Sequence, residues 1–192
     1  KIPELRETTD KAHMAVAFEK PVQRWFVHDK VVGERGVVNC PTVMNDPLRK
    51  TFPQHWDEVP AIVYDPSERL KALDSDRVDG EVLFPNDPVQ SGTFFQGDAE
   101  FELACVQAYN DALAEWREVS DRYVPLAIIP YLSGIEAAVQ ETQRAVKKGH
   151  RGILMVAEPS MVRKGLNHFN DPWWDPLWAT CEELGVPINC HG

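Results

Sequence analysis

The stretch NDPWWDPLWATCEELGVPINCHG (170–192) contains a complete helix followed by a strand. Asp175 and Pro176 are typical of a helix start, apolar residues recur every three or four positions after them, and Gly185 is typical of a helix end. VPINC (186–190) is a short apolar run, which predicts a buried strand. One α-helix leading directly into a buried strand is the repeating unit of parallel α/β folds.

The same alternation extends upstream from this stretch. Asp65 and Pro66 open a short helix, and a longer helix is predicted within 98–121. A further helix is predicted after a capping box formed by Ser133 and Glu136. Three more buried strands are predicted between these helices: GEVLFP (80–85), YVPLAIIP (123–130) and GILMV (152–156). Strict alternation predicts parallel βα units, in an open doubly wound sheet or a (β/α)8 TIM barrel, and both place chemistry at the C-terminal strand ends.

Two helices carry apolar residues at helical spacing, which predicts the faces that they bury. The longer helix is expected to bury Phe101, Cys105, Ala108, Ala112, Trp116 and Val119. The helix after the capping box is expected to bury Ile135, Val139, Thr142 and Val146, and to end at Gly149.

The first 64 residues have a different character from the remainder. They contain several prolines and no sustained helical period, so we expect an irregular covering segment. Within it, RWFVHDKVV (24–32) has short β-type runs on both sides of a polar centre, which predicts a small hairpin. The predicted organisation is therefore an N-terminal segment at 1–64 and a βα domain at 65–192.

Net charge, apolar runs and sequence motifs argue against several classes of function. A net charge of −10 disfavours nucleic acid and anionic membrane surfaces as partners. No apolar run reaches the ~20 residues that span a bilayer, and no glycine-rich nucleotide-binding motif follows a predicted strand. The four cysteines show no C-x-x-C pair, which is typical of free thiols in a reducing cytoplasm.

His191 directly follows the last predicted strand. In parallel α/β folds, active-site side chains lie at the C-terminal ends of the strands, so His191 is a candidate functional residue. The alternative is a solvent-exposed histidine without a role.

Five further side chains are candidate substrate contacts: Asn86, Phe94, Glu158, His168 and Trp173. Turn chemistry explains Asn86 equally well, and Phe94 suits either a substrate wall or a subunit contact. Glu158 is expected to contact the substrate, with a solvated loop residue as the alternative. His168, when protonated, suits a substrate carboxylate, with a structural role as the alternative. Trp173 is expected to pack, with its edge at the pocket.

Five blocks in this order resemble the amidohydrolase-2 branch of the metal-dependent amidohydrolase superfamily, which includes the aminocarboxymuconate-semialdehyde and resorcylate decarboxylases. They are RLKALDSDRVDGEVLFPN (69–86), YNDALAEW (109–116), RYVPLAIIP (122–130), GHRGILM (149–155) and NDPWWDPLWATCEELGVPINCHG (170–192). The resemblance implies a (β/α)8 barrel with a divalent metal, Zn²⁺ first and Mn²⁺ or Mg²⁺ as alternatives. Its ligands would be an H-x-H pair on the first strand, a His on the fifth and an Asp on the eighth. With GEVLFP as the second strand, the resemblance implies that His191 would be the fifth-strand ligand, and other branches of the superfamily have a carboxylate ligand where Glu158 stands.

The sequence also departs from that pattern. It contains no H-x-H, and a single ligand does not hold a metal that needs three protein donors. We therefore expect an internal segment, about strands 2 to 5, of a longer enzyme, with a small-molecule substrate and a homodimeric assembly. The resemblance implies a hydrolase or a non-oxidative decarboxylase acting on a small carboxylated or amide/ester substrate. The alternative is a non-catalytic barrel that serves as a binding or assembly protein.

Overall fold

The computed structural model describes most of the chain in two compact units, Lys1–Ala72 and Leu73–Gly192. The described residues are 4–8, 22–27, 29–32, 37–38, 40, 53–85 and 97–191. The predicted division into 1–64 and 65–192 stays a prediction. The helix α1, Pro66–Asp76, runs across the boundary between the two units.

The first unit contains a three-stranded antiparallel sheet in the order β1-β2-β3. Its strands are Glu4–Thr8, Val22–Val27 and Lys30–Val32. The predicted hairpin within 24–32 is confirmed, because β2 and β3 pair antiparallel there. The additional strand β1 was not predicted, because its sequence, ELRET, carries mostly charged side chains and no apolar alternation.

Contacts around β2 fix the segment that leads to α1. The guanidinium of Arg24 donates to Oε1 of Gln54 over 2.7 Å, and Gln23 N donates to Gln54 O over 2.9 Å. Two 3₁₀ turns follow, at Trp56–Glu58 and Ala61–Val63. As predicted, Asp65 caps α1, since its Oδ1 accepts hydrogen bonds from two amides of the first turn.

The second unit is built on a parallel sheet in the order β4-β5-β6-β7. Its strands are Glu81–Leu83, Tyr123–Ile128, Gly152–Met155 and Ile188–Cys190. The helices between them are α2 at Ala99–Val119, α3 at Ile135–Lys147, α4 at Pro159–Val162 and α5 at Asp175–Leu184. The predicted alternation of helices and parallel strands is confirmed.

The core of this unit lies between the two central strands and the helices. Ala127 and Ile129 of the β5 region and Ile153 and Met155 of β6 share one buried cluster with side chains of α3, α5 and the turn before α5. Their neighbours on the opposite face, such as Leu154, are also buried. Burial on both faces explains why these strands have almost continuously apolar sequences.

The two outer strands are less buried than the sequence suggested. Val82 on β4 is 48% exposed, and Phe84 just after it is 43% exposed. Cys190 at the end of β7 is exposed as well. The expectation of fully buried strands at 80–85 and 186–190 was wrong for this reason: among the described residues, each strand pairs on one side only.

The buried face of α2 also differs from the predicted one. It consists of Phe101, Glu102, Val106, Asn110 and Ala114, whereas Ala108, Ala112 and Val119 are exposed. The apolar pattern failed because two buried polar residues, Glu102 and Asn110, set the rotation of the helix. Both make hydrogen bonds to backbone groups at the end of β5.

Two helix starts also differ from the predictions. Gly134, with φ +88°, is the N-cap of α3, and the Ser133 hydroxyl donates to Ala99 O instead of capping the helix. Asp171 rather than Asp175 accepts a cap hydrogen bond, from Trp173 N at the preceding 3₁₀ turn. The predicted helix ends are confirmed at Gly149 and Gly185, which both adopt the positive φ that glycine tolerates.

Candidate active site at the C-terminal strand edge

His191 lies at the C-terminal tip of β7, where its amide donates to Met155 O over 3.0 Å. Its ring centroid is 5.8 Å from that of Phe84, which follows β4. These strands are the first and last of the sheet, and in a flat sheet three strand spacings would separate them by about 14 Å. The sheet is therefore strongly curled, and its C-terminal edge brings the side chains after β4 and β7 together.

His191 is exposed; its backbone amide is bonded to β6 and its imidazole contacts the ring of Phe84, so the imidazole is available as a single metal donor. The part of the chain that the structure describes contains no group of three or more His, Cys, Asp or Glu side chains positioned to hold a metal. A zinc site needs three protein donors and an open position, so these residues do not fit a metal ion by themselves.

A second cluster lies in the segment after β6. Oε1 of Glu158 accepts hydrogen bonds from Ser160 Oγ at 2.7 Å and Ser160 N at 3.1 Å, and Phe169 N adds a longer one. Nδ1 of His168 lies 3.0 Å from Ser160 Oγ and 3.5 Å from Glu158 Oε1. The Ser160 hydroxyl lowers the pKa of Glu158 most, and His168 contributes less. The structure thus brings two predicted site residues, Glu158 and His168, into one hydrogen-bonded group.

The bonding pattern of this cluster selects a tautomer for His168. A hydroxyl has one proton, and the shorter contact assigns that of Ser160 to Glu158. Nδ1 of His168 then carries a hydrogen that it donates to Ser160 Oγ. Because this side chain is 72% exposed, Nε2 remains accessible to a ligand.

Trp173 lies at the wall of a cavity of about 330 Å³. The cavity lies between two segments that line it: Tyr131–Gly134 after β5, and residues 163–167 after β6. Trp173 also packs edge-on against the buried Trp174, with ring centroids 4.6 Å apart, so it both packs and faces the cavity. His191 does not line this cavity.

Asn86 and Phe94 lie outside the described residues, so their placement stays a prediction. Sequence reasoning missed Ser160, which joins Glu158 to His168, and Arg163, which lines the cavity. A signal for Ser160 exists: Glu158-Pro159-Ser160 is typical of a helix start, where an acidic side chain accepts bonds from the first amides. No local pattern marks Arg163, because the cavity forms only where its own segment meets the segment after β5, which is distant in sequence.

Comparison with known proteins gives the family. The family model described as Amidohydrolase matches residues 47–192, more than half of the chain. The chain belongs to the amidohydrolase family. The predicted resemblance to its amidohydrolase-2 branch is thereby confirmed.

Two curated relatives of this amidohydrolase are decarboxylases. Gamma-resorcylate decarboxylase of Rhodococcus jostii is 28% identical over 158 residues, which cover 79% of this chain and 47% of the relative. The 2-amino-3-carboxymuconate-6-semialdehyde decarboxylase of Dictyostelium discoideum is 29% identical over 136 residues, which cover 70% and 35%. The chain spans less than half the length of both relatives.

Solved structures agree with the predicted fold class. An amidohydrolase from Mycobacterium avium subsp. paratuberculosis superposes with a TM-score of 0.67 at 18% identity, over 96% of this chain and 50% of that one. A dihydroxybenzoic acid decarboxylase from a Polaromonas species has a TM-score of 0.55 at 25% identity, over 65% and 37%, and its structure contains manganese. The sheet β4–β7 is accordingly part of a (β/α)8 barrel.

None of the helices in the described part of this amidohydrolase combines the length and apolar character needed to cross a bilayer. All four cysteines are free: Cys40, Cys105, Cys181 and Cys190.

Proposed function

We propose that the intact protein is a metal-dependent, non-oxidative decarboxylase that acts on a small carboxylated substrate. The observation that carries the proposal is the placement of His191 on the curled C-terminal edge, against Phe84, in a chain of the amidohydrolase family. Decarboxylation is preferred over hydrolysis because both curated relatives are decarboxylases. No observation favours the non-catalytic alternative.

His191 is proposed as one metal ligand, with the remaining ligands outside the described residues. Mn²⁺ is the first metal to test, since the Polaromonas decarboxylase contains manganese, whereas the zinc expected from the sequence has no specific support. A ligand histidine donates as a neutral imidazole, and its other nitrogen is usually oriented by a hydrogen-bond acceptor.

His168 is proposed to contact the substrate carboxylate through Nε2, because Glu158 and Ser160 orient its ring from the other side. Oε1 of Glu158 lies 3.5 Å from Nδ1 of His168, on the side of the ring away from Nε2. Trp173, Asn86 and Phe94 remain proposed substrate contacts.

We also propose a homodimer in a reducing cytoplasm. Free cysteines support the compartment. Exposed apolar side chains such as Met161, which is 86% exposed, support an assembly.

The test measures CO₂ release from gamma-resorcylate by the full-length protein with Mn²⁺. We expect His191→Ala to lower turnover at least about a hundredfold and to lower the bound metal, because a lost donor weakens the metal site. The matched control is His55→Gln, a change of another histidine in the first unit, which should leave both quantities unchanged. Unaltered metal content and turnover in His191→Ala would contradict the proposal.

A further inference from the structure

Ser160 joins an acidic side chain to a histidine in the segment after β6. Its Oγ lies 2.7 Å from Oε1 of Glu158 and 3.0 Å from Nδ1 of His168. We propose that Ser160 is a positioning residue, which holds His168 as the Nδ1–H tautomer and thereby leaves Nε2 to exchange a proton with the substrate carboxyl group. The substrate's part in this proposal rests on the proposed function, whereas the tautomer is measurable without turnover.

The charge on Glu158 fixes the direction of the hydrogen bonds. The Ser160 hydroxyl and the amides of Ser160 and Phe169 lower the pKa of this carboxyl, so it is ionised at neutral pH and only accepts hydrogen bonds. If the Ser160 hydroxyl donated to His168 instead, no hydrogen would lie between two oxygens that are 2.7 Å apart. Because that arrangement is repulsive, the hydroxyl donates to Glu158, and Nδ1 of His168 donates to Oγ of Ser160.

The same bonds serve His168 with and without a positive charge. In the neutral ring Nδ1 carries the hydrogen, and Nε2 has a free electron pair that accepts a proton from an acidic O–H group. This transfer breaks the O–H bond, forms an Nε2–H bond and leaves an oxyanion beside the imidazolium. The bonds from Nδ1 to Ser160 and from Ser160 to Glu158 stay as they are. Proton transfer in either direction therefore needs no rearrangement of the cluster.

The serine is required because the carboxylate does not reach the ring well by itself. Oε1 of Glu158 is 3.5 Å from Nδ1, which is beyond the ordinary range of hydrogen bonds, whereas 3.0 Å to the Ser160 hydroxyl lies within it. The backbone holds both partners in place. Pro159 fixes the first turn of α4, which carries Ser160, and the carbonyl oxygen of His168 accepts from Asp171 N over 2.9 Å.

Nε2 is open to a ligand because the His168 side chain is 72% exposed. The preceding residue, Asn167, lines the cavity between the segments after β5 and β6. The cluster therefore lies beside that cavity, outside the buried core, where a bound substrate can meet the free ring nitrogen.

The experiment measures the ring nitrogens of His168 by NMR in the full-length protein, labelled with isotope-enriched histidine. The signals are assigned by their loss in His168→Gln. At alkaline pH, where imidazoles are neutral, we expect Nδ1 to carry the hydrogen, and Nε2 should gain one as the pH falls. In Ser160→Ala the hydrogen of the neutral ring should move largely to Nε2, whereas Ser160→Thr, which retains a hydroxyl, should keep it on Nδ1.

Ser67 provides a matched control. Asp65-Pro66-Ser67 has the same order of acid, proline and serine at a helix start, and Ser67 N donates to Asp65 Oδ1 over 2.8 Å. Among the described residues Ser67 has no histidine partner, so Ser67→Ala should leave the tautomer of His168 unchanged. The proposal is overturned if the neutral ring of the unmodified protein carries its hydrogen mainly on Nε2, if Nδ1 is the nitrogen that gains a proton, or if Ser160→Ala keeps the Nδ1–H tautomer.

Turnover links the tautomer to the proposed function. With Mn²⁺ and gamma-resorcylate, Ser160→Ala should lower kcat at least about tenfold and change KM by less than about twofold, because an imidazole in the wrong tautomer does not transfer the proton. Ser160→Thr should restore most of kcat. An unchanged kcat in Ser160→Ala would refute the proton-transfer role. An unmodified protein without turnover would contradict the decarboxylase proposal instead, and the NMR spectra would still decide the tautomer and the nitrogen that gains the proton.

Discussion

His150 is a fully enclosed histidine beneath the sheet, 1% exposed, at the start of β6. Its Nε2 lies 2.8 Å from the carbonyl oxygen of Asn110, so Nε2 carries the hydrogen in the neutral ring. Nδ1 is buried and has no partner. Burial lowers the pKa of His150, and the attraction of Asn110 O and Glu141 for the protonated form only partly opposes that effect, while Arg144 adds to it.

The first prediction concerns pH and stability. Because the pKa of His150 is lower in the folded state than the value of 6.5 for a free side chain, the unfolded chain binds the proton first as pH falls. Stability from this residue is complete above pH 6.5 and declines below it, by at most about 1.4 kcal/mol per pH unit. Urea unfolding of the full-length protein between pH 7.5 and 5.5 should show this decline.

The comparison is between two variants. His150→Gln should have a shallower decline in unfolding free energy over this pH range, whereas Ala112→Ser, a change of an exposed and uncharged residue, should keep the original slope. Equal slopes for His150→Gln and the unmodified protein would refute the assignment.

At the scale of elements, α2 is positioned by polar side chains. The side-chain amide of Asn110 donates to Ile128 O at 2.9 Å and to Glu141 Oε1 at 2.7 Å, and its oxygen accepts from Ile128 N at 3.0 Å. One side chain therefore links α2, β5 and α3. Arg144 extends this network by pairing with Glu141 and Asp111.

The second prediction follows from this link. Asn110→Ala removes the side-chain partner of the buried Ile128 backbone groups and one of the hydrogen bonds to the buried Glu141 carboxylate, which keeps Arg144, so we expect a loss of about 2–4 kcal/mol in unfolding free energy. Ala112→Ser lies on the same helix at a position that the structure exposes, and it should change stability by less than about 0.5 kcal/mol. The apolar pattern predicts the opposite order, with Ala112 buried and Asn110 exposed. Chemical denaturation of the two variants therefore tests that pattern against the structure directly.

At the scale of the whole molecule, stability and the proposed metal site are spatially separate. The buried cluster lies between β5, β6 and the helices, and His191 does not belong to it. The curl of the sheet brings Phe84 and His191 together at the edge. The fold of the described second unit therefore has a core of its own.

A third prediction concerns metal removal from the full-length protein. Chelation should abolish CO₂ release and leave the far-ultraviolet circular dichroism spectrum unchanged, with a small fall in Tm because a ligand of the folded state is lost. Addition of Mn²⁺ should restore activity. A chelated protein that loses its helical spectrum would show instead that the metal is required for folding.

Much of this fold was predictable because parallel strands that are buried on both faces have continuously apolar sequences. YVPLAIIP and GILMV are such runs, and β5 and β6 lie where they predict. Gly149 and Gly185 marked helix ends through their tolerance of positive φ. Glu102 and Asn110 were not predictable as buried, since a pattern of apolar residues treats a carboxylate and an amide as solvent-facing.

The sequence by itself determined the order of helices and parallel strands, the family, and His191 as a candidate at a strand tip. These follow from residue types and from short spacings along the sequence, which are the same whatever the chain packs against. Only the tertiary structure decided which side chains meet: Ser160 with His168, Arg163 with the segment after β5, and Phe84 with His191. Such contacts depend on the rotation of each helix and the curl of the sheet, and both arise from packing between distant segments.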